Sequence, residues 1–146
     1  MSTFKELVGK RINGIFLGND NWTLVFRTSD NQFYRYDTEN DCCNSVWINH
    51  MTGVNVVGTG DSFDLLRGAL VIAAEDRGWS DNQPEDEDGW TVVQDGFWCI
   101  TTDRGYIDIE VRNSHNGYYG GRLDEVDLEE NPLSTITGLK QIFEDF

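Results

Sequence analysis

Positive charge, proline and histidine are all scarce here: 11 Lys and Arg, 2 Pro and 2 His in 146 residues. So few cations argue against binding duplex nucleic acid through its phosphates, since each neutralised phosphate asks for a lysine or arginine. Cysteine is scarce and odd in number. Cys42, Cys43 and Cys99 form no even framework, and two of them are neighbours, so a reducing compartment is expected. No apolar run approaches the length of a membrane span, and the opening MSTFKELVGK lacks the apolar stretch of a signal peptide. The expectation is a cytoplasmic protein with no membrane contact.

Acid is plentiful. The chain has 26 Asp and Glu and a formal charge of −15. Residues 1–60 carry 6 acids and 5 bases, whereas residues 61–146 carry 20 acids and 6 bases. The second half therefore repels nucleic acid and anionic membrane and attracts basic partners. Three readings of that excess stand side by side: solubility alone, a mimic of nucleic acid that fills a basic groove, and acidic loops with some other partner-facing role. With 5 Trp, 5 Tyr and 8 Phe the chain is too aromatic to be a disordered acidic tail. Its length bounds it to one domain, residues 1–146, with a real core.

Short alternating segments broken by Gly, Asn and Asp predict an antiparallel β protein. Arg11–Leu17, Trp22–Thr28 and Gln32–Tyr36 read as a meander with turns at residues 18–21 and 29–31. Trp22, Leu24 and Phe26 share one expected face. Ser45–Met51 is a further strand, with Val46, Ile48 and His50 expected opposite to Trp47, Asn49 and Met51. Asp61 or Ser62 could cap a short helix over Phe63–Arg67 that Gly68 would stop. Leu70–Ala74 and Thr91–Thr102 are strands around an acidic loop or insertion at residues 77–90. Tyr106–Arg112 alternates most cleanly, residues 113–121 are a long turn, and Arg122–Leu128 resumes strand character. The tail, residues 129–146, is expected to end in a helix at Leu139–Phe146, because Leu139, Ile142, Phe143 and Phe146 share a helical face. The fold class is mainly β: a strongly curved antiparallel sheet or small barrel with one or two short helices.

Motifs for chemistry are thin. Adjacent cysteines point to opposite sides of an extended chain, so Cys42 and Cys43, even with Cys99, His50 and His115, make a poor metal site. Cysteine nucleophilicity needs a base within reach and a third group to orient it, and no local pattern marks one. Gly58-Thr59-Gly60-Asp61 could hold an anion on backbone N–H groups but lacks the lysine of a phosphate loop. No cofactor, metal or catalytic turnover is expected. The most unusual string runs from Ser114 to Gly121: Asn116-Gly117 favours a tight turn, and Tyr118 and Tyr119 offer flat faces. A base stacked on a tyrosine, with Arg112 meeting phosphate and Asn116 reading an edge, is chemically sensible. A hairpin whose tyrosines simply pack is the structural alternative.

Leu7-Val8-Gly9-Lys10, Asp41-Cys42-Cys43-Asn44-Ser45-Val46, Leu66-Arg67-Gly68 with Ala74-Glu75, and Asn116-Gly117-Tyr118-Tyr119 occur in an order that resembles a family of small uncharacterised phage and mobile-element proteins. The Asn-Gly-Tyr-Tyr-Gly-Gly turn is also similar to that of phage anti-Thoeris sponge proteins, small β-rich oligomers that sequester cyclic nucleotide signals without cleaving them. That resemblance implies a non-catalytic anti-defence protein in the host-cell cytoplasm, a homo-oligomer, with Arg112, His115, Asn116, Tyr118, Tyr119 and Arg122 around a small nucleotide. The alternative is an acidic nucleic-acid mimic that inhibits a CRISPR effector or restriction enzyme. It would meet the basic protein surface through Glu85, Asp86, Glu87, Asp88, Asp124, Glu125, Asp127, Glu129 and Glu130.

Overall fold

The computed structural model describes residues 4–18, 21–38, 44–55, 68–80, 83–84, 92–115, 123–126 and 139–144. Among the described residues a 3-10 turn at Lys5–Leu7 precedes ten strands: β1 (Arg11–Gly18), β2 (Thr23–Thr28), β3 (Phe33–Thr38), β4 (Asn44–Asn55), β5 (Ala69–Trp79), β6 (Gln83–Pro84), β7 (Val92–Thr102), β8 (Gly105–His115), β9 (Leu123–Val126) and β10 (Leu139–Glu144). They lie in the order β4-β8-β7-β5-β1-β2-β3-β9, with β10 beside β1 and β6 beside β7. Every ladder is antiparallel.

The meander forms where the alternation places it. Its turns use asparagine in the left-handed region, Asn21 at φ 63° and Asn31 at φ 61°. Asparagine tolerates that region better than most residues because its short polar side chain bonds locally. Leu24 and Phe26 are fully buried, but Trp22 precedes β2 and stands 49 % exposed. The N-terminal segment packs beneath the meander. Phe4 lies edge-on to Phe26, with ring centroids 5.8 Å apart, and tilts against Tyr36 at 4.4 Å. The buried Tyr36 hydroxyl donates to the Glu6 carboxylate. One buried cluster joins these side chains to Val46, Ile48, Trp98, Ile100, Ile107, Ile109 and Val111 of the β4-β8-β7 region.

Two expectations are corrected. The sheet is open rather than strongly curved or closed as a small barrel: β4 and β9 end the order, and no ladder joins them. No α-helix occurs among the described residues, and of the tail expected as a helix at Leu139–Phe146 the described part, Leu139–Glu144, is strand β10. The cause is tertiary. On its second side β1 pairs with β5 only at Arg11 and Ile12, leaving Gly14–Gly18 in need of partners, and β10 supplies them. A helix of two turns is marginal by itself, so unmet backbone hydrogen bonds outweigh its apolar stripe. The helix expected at 63–67, the glycine-rich turn at 58–61 and the cysteines Cys42 and Cys43 lie outside the described residues. No described helix is long and apolar enough to cross a membrane.

Candidate functional site

The β7–β8 hairpin sets the geometry. Its turn at Asp103-Arg104 is held by Arg104 N–H donating to Thr102 Oγ1 at 3.1 Å, while Thr102 Oγ1 donates to the Gly105 carbonyl at 2.8 Å. This tight turn places Phe97 opposite Glu110, Cys99 opposite Asp108 and Asp95 opposite Arg112. Along β8, Ile107, Ile109 and Val111 are buried, while Asp108, Glu110 and Arg112 occupy the alternate, outward positions. Phe97 is also outward, and 40 % exposed.

A bulge interrupts each neighbouring strand at the level of Phe97 and Glu110. In β4 the register shifts between Ile48 and His50, passing over Asn49 and placing His50 opposite Glu110. The expected alternation of β4 therefore holds through Ile48 and inverts beyond it. Met51 packs against the core, and His50 is exposed. In β5 the register shifts between Asp76 and Trp79, where Gly78 takes φ +82° and its N–H donates to Asp76 Oδ1 at 2.8 Å. Bulges twist a strand locally and re-aim side chains. Between these two lies a cleft of about 420 Å³ lined by His50, Arg77, Phe97, Trp98, Asp108 and Glu110, with Ile109 beneath. Its volume lies in the range of about 300–1,000 Å³ usual for small-ligand sites.

The cleft is mixed in charge. Arg77 Nε stands 3.7 Å from Glu75 Oε2, with side chains 58 % and 60 % exposed, a pair that water screens and a ligand can exchange. Asn49 Nδ2 donates to Glu110 Oε2 at 3.4 Å. Trp98 is 4 % exposed, and its buried indole N–H has no partner among the described residues. Beside the cleft, burial first, then the hydrogen bond and charge of Asp108, push the Cys99 thiol up. A thiolate is thereby disfavoured, which leaves Cys99 a weak nucleophile. No group of three potential metal ligands gathers among the described residues.

The sequence-predicted site divides. Arg112 Nε donates to Asp95 Oδ1 at 2.9 Å on the outward face, while His115, three residues on, is buried on the opposite side of the strand. Burial holds the His115 imidazole below its ordinary pKa. The strand itself runs to His115, so residues 113–115, expected in a turn, are β structure, and Asn113 Nδ2 donates to Gln94 Oε1 at 2.9 Å. Asn116, Tyr118, Tyr119 and Arg122 lie outside the described residues. Of the acidic surface, Asp124 and Glu125 fall on β9 beside β3; Glu85, Asp86, Glu87, Asp88, Asp127, Glu129 and Glu130 lie outside the described residues.

Residues 5–124 match the model of DUF7448, a domain of unknown function. The chain belongs to the DUF7448 family. No curated protein and no solved structure matches it. The matched span holds every cleft residue of this DUF7448 domain and leaves β10 outside. The cleft was missed in the sequence because its members are scattered between residues 50 and 110. One signal was available: a two-residue turn between Thr102 and Gly105 sets Phe97 against Glu110 by counting back along each strand.

Proposed function

We propose that this DUF7448 domain binds a small nucleotide signal and sequesters it without cleavage, as an anti-defence protein of phage or mobile-element type, with the ligand on Phe97 in the cleft. The observation that carries this reading is the pair of bulges at one level of the sheet, flanking an exposed aromatic ring with a cation at its side. Phe97 offers a face for a base, Arg77 a guanidinium for phosphate, and Asp108 and Glu110 acceptors for amino or hydroxyl groups. The turn at 116–119 remains a second place for the ligand. Five further residues of β8, Val111–His115, carry the strand roughly 17 Å beyond Glu110 before that segment begins. Pairing of the end strands β4 and β9 with a second copy would give the expected homo-oligomer.

The test mixes the purified protein with cyclic ADP-ribose isomers and cyclic dinucleotides, follows thermal shift, then heats the complex and assays the released compound. Intact ligand released on denaturation is the expected result. Stacking on one aromatic ring contributes about 1–3 kcal/mol, so Phe97→Ala should weaken binding roughly 5- to 150-fold. No thermal shift across the panel would remove the reading. Conversion to a product would make the protein an enzyme. Salt-sensitive binding to a basic nucleic-acid-handling protein, lost when Asp124, Asp127 and Glu130 are replaced by lysine, would favour the mimic instead.

A further inference from the structure

We propose that the cleft selects its nucleotide by base edge, taking guanine over adenine. This inference rests on the nucleotide reading above. Phe97 and Glu110 are direct cross-strand partners, so a base lying on the ring presents its edge to the β8 row. That row carries Glu110 and, two residues away on the same face, Asp108, both lining the cleft. Ionised carboxylates only accept hydrogen bonds. Guanine offers N1–H and N2–H₂ as two parallel donors, the pattern that one carboxylate receives with both oxygens. Adenine offers one donor beside the N1 lone pair, which would face a carboxylate oxygen. Cytosine and uracil likewise set an acceptor beside their donor.

Arg77 lies on β5, on the other side of the Phe97 row from the β8 carboxylates. There it can release Glu75 and meet an anionic oxygen of the same ligand. The two carboxylates would repel a nucleotide that gave them no donors, so the acidic lining, unfavourable to anions in general, becomes the selective element.

Isothermal titration of the full chain with cyclic di-GMP and cyclic di-AMP tests this. Cyclic di-GMP should bind at least about tenfold more tightly, the loss expected when a charged acceptor is left unpaired. Glu110→Gln presents one donor and one acceptor and should bring the two ligands within about threefold, with an unchanged melting temperature showing an intact fold. Equal affinities for the two ligands in the parent protein would overturn the inference and leave the nucleotide reading standing. Binding of neither, nor of any other nucleotide in the panel, would overturn both. A guanine preference that survives both Phe97→Ala and Glu110→Gln would place recognition elsewhere and overturn the inference as well.

Discussion

Strands β2 and β8 both lie inside the sheet, yet they use their side chains in opposite ways. In β2, four successive residues, Thr23, Leu24, Val25 and Phe26, are buried, so both faces of the strand are covered. In β8 burial alternates through eleven residues, and the outward positions hold Tyr106, Asp108, Glu110 and Arg112. A strand covered on both sides commits every side chain to packing. A strand covered on one side leaves half its residues available for recognition. The difference locates candidate chemistry on the outer face of β7 and β8 and assigns β1 and β2 to holding the domain together.

The sharpest way to break that comparison is Phe26→Ala. Phe26 is fully buried and contacts Phe4 and Tyr36 edge-on. Removing its ring should cost about 3–5 kcal/mol, a large share of a small domain's stability, seen as a lower urea midpoint. A loss under about 1 kcal/mol would mean that the aromatic cluster beneath the meander is not part of the cooperative core.

Second in size is Gly96→Ala. A Cβ at this buried position in β7 would lie 2.6 Å from Cε2 of Trp79, whose ring also packs edge-on to Trp98 at 5.7 Å. The indole must move or the strand must shift, at about 1–3 kcal/mol. Tryptophan fluorescence and near-UV circular dichroism should change with it. Unchanged spectra and stability would show that the β5 bulge does not hold Trp79 against β7, and the wall of the cleft would lose its support.

What the sequence conveyed follows the same division. Alternation is legible where one face is wet: in Tyr106–Arg112 the apolar Ile107, Ile109 and Val111 alternate with Asp108, Glu110 and Arg112, and that pattern alone marks a half-buried strand. In β2, where Val25 is buried as fully as Phe26, the pattern cannot say that the second face is covered. Bulges are illegible for a related reason: the shift at Asn49 depends on how β4 meets β8, not on β4 itself. The same holds for β10, whose apolar residues fit a helical stripe in isolation and a strand once β1 stands beside them. Cleft residues from β4, β5, β7 and β8 could be assembled only with the strand order in hand.

A smaller effect concerns pH at the end of β8. Burial lowers the His115 pKa in the folded chain below the ordinary 6.5. The unfolded chain therefore takes up a proton first as pH falls, and stability drops from about pH 6.5 down to the folded value, then levels. His115→Gln removes this contribution. Between about pH 7.5 and about pH 5.5 the parent should lose more stability than the variant, measured by urea midpoints at each pH. Equal losses would mean that His115 is as accessible to protons as an exposed imidazole, and that β8 does not hold it inward as it holds Val111.

The smallest expected effect sharpens the comparison most. Phe97→Ala removes a ring as large as that of Phe26, from the same kind of structure, but one that is 40 % exposed and lies outside the buried cluster. Substitutions of surface residues usually change stability by less than about 0.5 kcal/mol, and this one should fall near that limit. The exposed part of the ring gains nothing from the fold, which sets Phe97 apart from the fully buried Phe26. Near-neutral stability together with loss of ligand affinity would identify Phe97 as a recognition residue. A loss of 2 kcal/mol or more would instead place the ring in the packing of β7 against its neighbours, at about the lower limit for truncating a large buried side chain. The outer face would then be a second core surface, and the contrast between β2 and β8 would disappear.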